Sequence, residues 1–350
     1  MKALVLEQFG RLAVVELDEP AVGPDDVVVR VIATGICGSD LHGYTGENGR
    51  RSPGQVMGHE CVGVVESLGG GVDRSDLAPG SLVTVNPVIV PADDVDAFAD
   101  REQHHPGKRV LGVDPTLISA FAERIAVPAR NVVALPADLP VALGAIVEPL
   151  AVAVNAVRRL DVAPGDAVLV LGGGPIGQSV VLALRMAGID DILVSELSAS
   201  RRRLVESLGA ATVDPAAGSI AAAALAAFGR AADAAVDAVG ITATVNDALA
   251  ATRLGAVVCL VGMGAKRLEI DAFAVSTAER SIVGSFTYRR RDFDAAAAWV
   301  ASAPPSTIEL VSEIVGLDAA DDAFRRLAAG DDVPGKILVT LDATRLPATH

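Results

Sequence analysis

The residues of this chain best suited to chemistry are one cysteine, one histidine and two acids in three short runs. Cys37 lies in "TGICGSDLH", His59 and Glu60 lie in "VMGHECVG", and Glu148 lies in "IVEPLAV". Thiolate, imidazole and carboxylate are ligand types that zinc accepts, and three protein ligands with one open position make a catalytic site. Taken singly, these residues also fit a strand-end cysteine, a core histidine, a surface acid and a helix cap. Together they predict a metal centre.

A second motif, "LGGGPIG", joins a strand-like run to a helix-like run. Gly172, Gly174 and Gly177 have the spacing of a dinucleotide fingerprint, and Pro175 and Ile176 lie inside it. The first glycine permits a tight turn, the second lets the backbone approach a pyrophosphate, and the third lets the helix pack on the strand. The N–H groups at the helix N-terminus attract the negative charge. We expect this loop to bind a nucleotide cofactor.

An acid in the expected place completes this fingerprint. Glu196 ends the next strand-like run, "DILVSE", about 20 residues after the glycines. A carboxylate there accepts from both ribose hydroxyls and repels a 2′-phosphate, which favours NAD over NADP. Arg201, Arg202 and Arg203 follow, and a guanidinium such as that of Arg201 would bind a 2′-phosphate. A solvated helix face is the alternative for these arginines, so NADP stays open.

The elements that position these motifs change character along the chain. The first 150 residues or so contain strand-like runs that end at glycine or proline, which indicates a β-rich, barrel-like module. From about Pro164 to Ser285, strand-like and helix-like runs alternate, which indicates βαβ units around a parallel sheet. The pattern then becomes mixed and ends in "GKILVT". We therefore expect an α/β protein in which the alternating block is inserted into the first module.

Composition excludes several classes of function. The 350 residues are 51% hydrophobic and 21% charged, which is typical of a globular chain of about two domains. The net charge of −15 makes nucleic acid and anionic membranes poor partners. We expect no signal peptide and no transmembrane helix. The three cysteines are too widely spaced for a disulfide framework, which indicates a reducing, cytoplasmic location.

Four of these motifs, in their order, resemble one family. The runs "GICGSDLH", "GHE", "EPLAVA" and "GGGPIG" are similar to those of the zinc-dependent medium-chain alcohol and polyol dehydrogenases, and the similarity spans nearly the whole chain. The resemblance implies a GroES-like β-barrel catalytic domain at residues 1–150, completed by 288–350. It implies a Rossmann domain with a doubly wound parallel sheet at residues 151–287. It also implies hydride transfer between an alcohol and NAD, and a homo-oligomer, either a dimer or a tetramer.

The resemblance also implies a ligand set for one catalytic zinc ion. Cys37 and His59 match two family ligands, and the third is an acid, either Glu60 or Glu148. A glutamate at the position of Glu148 resembles the sorbitol, threonine and butanediol dehydrogenase branch. Asp40 matches the acid that orients the ligating histidine.

A proton relay follows from the same resemblance. Ser39 would take the proton of the substrate hydroxyl, and His42 would pass it through the cofactor ribose to solvent. Tyr44, Glu47, Arg50 and Arg51 lie between the two zinc motifs, where relatives build part of the substrate cleft; a solvated loop is the alternative. The substrate would be a secondary alcohol, a polyol or a sugar-like compound.

The chain departs from the family in one region. Residues 85–114 contain no cysteine, whereas many members carry four that bind a second zinc, so we expect no structural zinc. We expect His104 and His105 to lie in an exposed polar loop. Two other functions stay open: a zinc-free quinone or enoyl reductase of the same fold, and a non-catalytic NAD-binding protein.

Overall fold

The computed structural model describes residues 1–47 and 49–349 and contains two compact units. The first unit comprises Met1–Glu148, Arg289–Asp332 and the chain from Lys336 onward. The second comprises Pro149–Tyr288 and a short return of the chain at Val333–Gly335. The sequence pattern gives no sign of this return.

The first unit is built on a seven-stranded sheet. Six of its strands follow one another in the order β16-β17-β3-β4-β5-β9, and β8 also pairs with β3. These strands are β3 (Asp26–Gly35), β4 (Glu60–Leu68), β5 (Leu82–Val85), β8 (Arg124–Pro128), β9 (Val132–Ala134), β16 (Val311–Gly316) and β17 (Lys336–Thr340). Two smaller sheets flank it, formed by β1 (Lys2–Gln8) with β2 (Arg11–Glu16) and by β6 (Val88–Ile89) with β7 (Arg109–Val110).

Valine-rich strands give this unit its core. Val27, Val29 and Val31 alternate along β3 and are all fully buried. Val28 and Ile32 are buried as well, so most of the strand is covered. Side chains from β4, β5 and β8, Cys61 among them, pack against the three alternating valines. The helices of the unit are α1 (Gly38–Tyr44), α8 (Arg290–Ala301) and α9 (Ala320–Ala328).

The second unit is a parallel six-stranded sheet in the order β12-β11-β10-β13-β14-β15. Its strands are β10 (Ala167–Leu171), β11 (Asp191–Ser195), β12 (Ala211–Val213), β13 (Ala232–Asp237), β14 (Thr252–Leu260) and β15 (Ser281–Gly284). When the six strands are numbered along the chain, with β10 as strand 1, their order in the sheet is the 3-2-1-4-5-6 order of the Rossmann fold. Every residue of β10 is buried, as expected of a strand covered on both faces. The predicted doubly wound sheet is confirmed.

One helix, α2 (Val147–Arg158), precedes the first of these strands, and the other helices connect them. The connecting helices are α3 (Pro175–Met186), α4 (Ala199–Ser207), α5 (Ile220–Phe228), α6 (Thr242–Ala251) and α7 (Ala272–Ser276). The Ser198 hydroxyl accepts from the Arg201 N–H and begins α4. Gly229, with a φ of 70°, ends α5 in the left-handed conformation.

One apolar run could be mistaken for a membrane span. Val141–Arg158 is the single candidate by length and hydropathy among the described helices, and 78% of it is buried inside the protein. A core helix of a folded domain has the same composition, so burial accounts for this run.

Candidate metal centre and cofactor loop

Strand pairing brings the predicted metal ligands together. β3 ends at Gly35, and Cys37 follows two residues later as the N-cap of α1. β4 begins at Glu60, and Gly35 is the residue opposite Glu60 in the antiparallel register. The end of β3 therefore lies beside the start of β4, which places Cys37 next to the pair His59 and Glu60.

The ligand atoms of this group form a compact, buried set. One ligand atom each from Cys37, His59 and Glu60 lies within 4.8 Å of the others. Within residues 1–47 and 49–349, this is the one group of three or more potential ligands that meets that distance. Glu60 is fully buried, His59 is 7% exposed and Cys37 is half-buried.

A lysine at the far end of the sequence fixes Glu60. Lys336, the first residue of β17, places Nζ 2.7 Å from Glu60 Oε1 and is itself 3% exposed. Burial lowers the pKa of Lys336, but Glu60 and the nearby Cys37 raise it above its usual value, so the ammonium is charged. Glu60 Oε2 is buried and has no hydrogen-bond partner among the described residues. Sequence analysis missed Lys336, because one lysine in "GKILVT" carries no motif.

Glycine at position 35 makes room for this carboxylate. A Cβ at Gly35 would overlap Glu60 Oε2 and lie 3.2 Å from Lys336 Cδ. Any other residue at Gly35 would thus displace the acid from the ligand group.

Asp40, the acid predicted to orient the ligating histidine, lies beside His59. Its Oδ1 lies 3.6 Å from His59 Nδ1, and its Oδ2 accepts from the Cys37 N–H at 3.3 Å. Asp40 is fully buried. Burial lowers the pKa of His59, but Asp40 and the other anionic groups around the ring raise it well above its usual value. With Nδ1 directed at Asp40, the ring presents Nε2 on its other side.

Glu148 is close to the ligand group but not part of it. It lies in the first turn of α2, directly after the 3-10 turn Val141–Ile146, and is 6% exposed. Its charge contributes to raising the pKa of both His59 and Lys336. The structure groups Glu60, rather than Glu148, with Cys37 and His59.

The charges of this cluster suit a divalent cation. Asp40, Glu60 and Glu148 are acidic and Arg51 and Lys336 are basic, whereas a cysteine ligates a metal as the thiolate and a histidine as the neutral imidazole. With Cys37 and His59 in those forms, four anionic groups would face two cationic ones, and a divalent ion would make the cluster neutral. Buried charges are costly unless they are balanced in this way. The unpartnered Glu60 Oε2 and the mixed S, N and O donor set fit zinc.

The predicted relay residues lie on α1. Ser39 and His42 are three positions apart on this helix, so they occupy neighbouring places on its surface. Both are half-buried. His42 Nδ1 lies 3.2 Å from Glu47 Oε2, and the His42 side chain is 37% exposed.

Two residues expected in the cleft or a solvated loop are instead buried. Tyr44 is 3% exposed, and its hydroxyl donates to the Gly10 carbonyl at 2.7 Å. Arg51 is 5% exposed and faces Asp40, whereas Glu47 and Arg50 are exposed. The expectation fails for Tyr44 because its hydroxyl donates to a main-chain carbonyl in the interior, and for Arg51 because its guanidinium is buried at ion-pair distance from Asp40.

The exposed-loop prediction for the two consecutive histidines is wrong in part. His104 is exposed, but His105 is 5% exposed. Its Nε2 lies 3.0 Å from Asp94 Oδ2, its Nδ1 accepts from the Gly107 N–H, and its ring packs edge-on against Phe98. A small core therefore forms within the cysteine-free region, around an aromatic pair that the sequence pattern does not show.

The glycine loop has the geometry that a fingerprint requires. Gly172 has a φ of +96°, and a Cβ on Gly177 would overlap the Gly172 carbonyl oxygen. Gly174 begins α3 as its N-cap, and the nearest atom to a Cβ there is Arg201 Nη1, at 3.9 Å. Pro175 and Ile176 form the first turn of α3 and are half-buried. A helix N-terminus of this kind attracts anions.

Glu196 and Arg201 both lie beside this loop. Glu196 Oε2 accepts from the Gly173 N–H at 2.7 Å, and Oε1 accepts from the Ser198 N–H at 2.8 Å. Arg201 Nε donates to the Val333 carbonyl at 3.2 Å. Arg202 donates to the carbonyls of Glu196 and Leu197, so of the three arginines only Arg203 is exposed.

Comparisons with known proteins agree with this fold and site. The family described as "Alcohol dehydrogenase GroES-like domain" matches residues 23–137, and "Zinc-binding dehydrogenase" matches residues 175–302. A probable D-xylulose reductase A of Emericella nidulans is 30% identical, and the alignment covers 95% of this chain and 94% of the relative.

Two solved structures have the same fold along their whole length. The 2R,3R-butanediol dehydrogenase of Bacillus subtilis has a TM-score of 0.86 at 29% identity, covering 97% of this chain and 99% of the other. A protein of Sinorhizobium meliloti, assigned as a zinc-binding dehydrogenase and solved with NADP, has a TM-score of 0.86 at 32% identity, covering 97% and 98%.

A GroES-like unit with a thiolate-imidazole-carboxylate group and a Rossmann unit with a glycine loop define a zinc-dependent dehydrogenase. The chain belongs to the zinc-dependent medium-chain alcohol and polyol dehydrogenase family. It is an enzyme, an NAD(P)-dependent oxidoreductase that acts on a small-molecule alcohol.

Gly35→Ala tests the space that Glu60 occupies. The added Cβ forces the carboxylate out of the ligand group, and we expect zinc affinity to fall about 10- to 100-fold, as when a ligand loses its support. The measurement is competition for zinc against a chelating dye. Gly38→Ala is the control, because its Cβ would have no atom within 4 Å apart from its chain neighbours and the backbone of α1, and its zinc affinity should stay unchanged. Equal affinities in the two variants would contradict the assignment of Glu60.

Gly177→Ala and Gly174→Ala separate packing from cofactor binding. The Gly177 variant forces a methyl group onto main chain, and we expect a loss of about 1–3 kcal/mol in the free energy of unfolding. The Gly174 variant has space and a φ of −70°, so it should keep its stability but bind NADH weakly, because Cβ lies where a pyrophosphate approaches. Thermal unfolding and NADH fluorescence titration give the two readouts. Wild-type NADH binding in Gly174→Ala would refute this placement.

Proposed function

We propose that this protein is a zinc-dependent dehydrogenase that oxidises a secondary hydroxyl of a polyol, diol or sugar-like substrate with NAD. The observation that carries the proposal is the group of Cys37, His59 and Glu60, whose S, N and O ligand atoms lie close together. One of these groups, the buried Glu60 carboxylate, has an oxygen, Oε2, without a hydrogen-bond partner among the described residues. The relatives named for D-xylulose and 2R,3R-butanediol support a substrate with secondary hydroxyl groups.

We assign Glu60, rather than Glu148, as the third ligand of the ion. Cys37 Sγ, His59 Nε2 and Glu60 Oε2 would hold the ion, and Glu148 would contribute charge from outside the group. When bound, zinc supplies a Lewis acid that lowers the pKa of the substrate hydroxyl, and the nicotinamide accepts the hydride.

Two residues of α1 would transfer the proton of the substrate hydroxyl to solvent. Ser39 Oγ, in the first turn of α1, would accept the proton of the substrate hydroxyl in a hydrogen bond. His42 would take it onward, because imidazole both accepts and gives up a proton near neutral pH. The Glu47 carboxylate lies 3.2 Å from His42 Nδ1, and the partly exposed His42 side chain would return the proton to solvent.

We also propose one zinc ion per chain and no structural zinc. Cys61 packs in the hydrophobic core of the first unit. Burial raises the pKa of the Cys259 thiol to about 11, so it stays protonated at neutral pH and makes a poor ligand. Three free cysteines are consistent with the cytoplasmic location expected from sequence. The expected homo-oligomer, a dimer or tetramer, stays a prediction.

NAD is the proposed cofactor, although the Sinorhizobium meliloti relative holds NADP. Both Glu196 oxygens already accept one N–H, but a carboxylate has further lone pairs for the two ribose hydroxyls. Its negative charge disfavours a 2′-phosphate. Arg202 Nη1 donates to two main-chain carbonyls, which reduces the availability of Arg202 to a phosphate, whereas Arg201 donates to a carbonyl only through Nε.

The proposed activity is tested by NADH absorbance with a panel of polyols, diols and simple alcohols, with and without a chelator. We expect turnover of secondary hydroxyls that chelation abolishes and added zinc restores. Cys37→Ser should lower kcat at least about 100-fold, whereas Cys259→Ala, the control, should keep wild-type turnover. Chelator-insensitive turnover would favour the zinc-free reductase. Bound zinc and NAD without turnover on any alcohol would favour a non-catalytic protein.

Cofactor choice is tested by kcat/KM with NAD and with NADP. We expect NAD to be preferred, and Glu196→Gln to lower the NAD-to-NADP ratio about 10- to 100-fold, because the variant loses a charged acceptor worth about 1.5–3 kcal/mol. Glu206→Gln, an exposed acid later in α4, is the control and should keep the ratio. A wild-type preference for NADP would overturn the assignment.

A further inference from the structure

One buried arginine near the metal centre has no role in the mechanism above. The Arg51 side chain is 1% exposed, although residues on both sides of it in the sequence are exposed. Its stem occupies the space beside Gly43, where a Cβ would overlap Arg51 Cγ. A glycine in α1 thus lets the arginine pack against the helix that carries Cys37 and Asp40.

The guanidinium faces the acid that orients the histidine ligand. Arg51 Nη2 lies 3.6 Å from Asp40 Oδ1, and the same oxygen lies 3.6 Å from His59 Nδ1. Both separations are longer than a hydrogen bond but within ion-pair distance. Among the described residues, none of these three atoms has a hydrogen-bond partner, and neither does Arg51 Nε.

Asp40 Oδ1 therefore lies between the Arg51 guanidinium and the His59 imidazole. Asp40 is fully buried, so its charge depends on Arg51 and His59 for compensation. Arginine suits the role because its guanidinium is always charged and is intrinsically planar. Without it, Asp40 keeps its contact with the Cys37 N–H through Oδ2, but Oδ1 loses its fixed place beside the ring.

We propose that Arg51 is a positioning residue for the metal centre. It holds the Asp40 carboxylate against His59 Nδ1, so that the imidazole keeps the orientation that presents Nε2 to zinc. The inference rests on the proposed zinc site. It extends the series of contacts that runs from zinc to His59 and then to Asp40 by one residue, Arg51.

Zinc affinity is the direct readout, measured by competition against a chelating dye on the full-length protein. We expect Arg51→Met to weaken zinc binding about 10- to 100-fold, the usual effect of removing an outer contact of a ligand. Arg51→Lys keeps the charge and should lose less, and it provides a second measurement if Arg51→Met does not fold. The visible absorption of the cobalt-loaded protein should shift in Arg51→Met towards that of Asp40→Asn.

A second arginine supplies the matched control. Arg289 pairs with Asp292, which is 3% exposed, through two hydrogen bonds of 2.7 and 3.0 Å in the same unit. Arg289→Met removes a guanidinium from a buried acid outside the ligand group. It should lower the melting temperature of the metal-free protein and leave zinc affinity at the wild-type value.

A double variant decides whether Arg51 acts through Asp40. Arg51→Met combined with Asp40→Asn should bind zinc as weakly as Asp40→Asn alone, within about twofold. Additive losses would overturn the proposal, as would wild-type zinc affinity in both Arg51 variants. A wild-type protein that binds no zinc would refute the proposed function itself, whereas a zinc-binding wild type with unaffected variants would refute only the role of Arg51.

Discussion

The structure of the metal centre depends on one constraint, the placement of several negative charges in the interior of a protein. Glu60 and Asp40 are fully buried, and Glu148 is nearly so. Such groups are tolerated only where cations or hydrogen-bond donors compensate them. Lys336 and Arg51 supply part of the compensation, and a bound divalent ion would supply the rest. The metal would therefore contribute to the charge balance of this unit as well as act as a Lewis acid.

This balance explains why distant parts of the chain meet at the site. Lys336 begins the strand that pairs with β3, and Glu60 begins the strand on the other side of β3. Gly35, at the end of β3, leaves the gap in which the lysine and the acid meet. The sheet register thus sets the distance between Lys336 and Glu60, and α1 places Cys37 and Asp40 at the same end of β3.

Sequence predicted the parts of the molecule that local patterns encode. The glycine fingerprint and the alternation of strands and helices specified the Rossmann sheet, because both depend on residues close together in sequence. The edge strand β15 was not predicted, since it has only four residues and none of them is buried. Lys336, 276 positions from Glu60, and the buried Arg51 were not predicted as contacts either. Single charged residues whose partners are set by the tertiary fold give no periodic signal. His105 is a similar case, because its burial depends on Asp94 and Phe98.

X-ray absorption spectroscopy of the zinc-loaded protein tests the central claim most directly, because it counts the sulfur atoms bound to the metal. The account predicts one sulfur at about 2.3 Å, from Cys37, with the other ligands nitrogen or oxygen at about 2.0–2.2 Å. A first shell without sulfur, or with two or more sulfur atoms, would contradict the assignment of Cys37, His59 and Glu60 as the group that holds the ion.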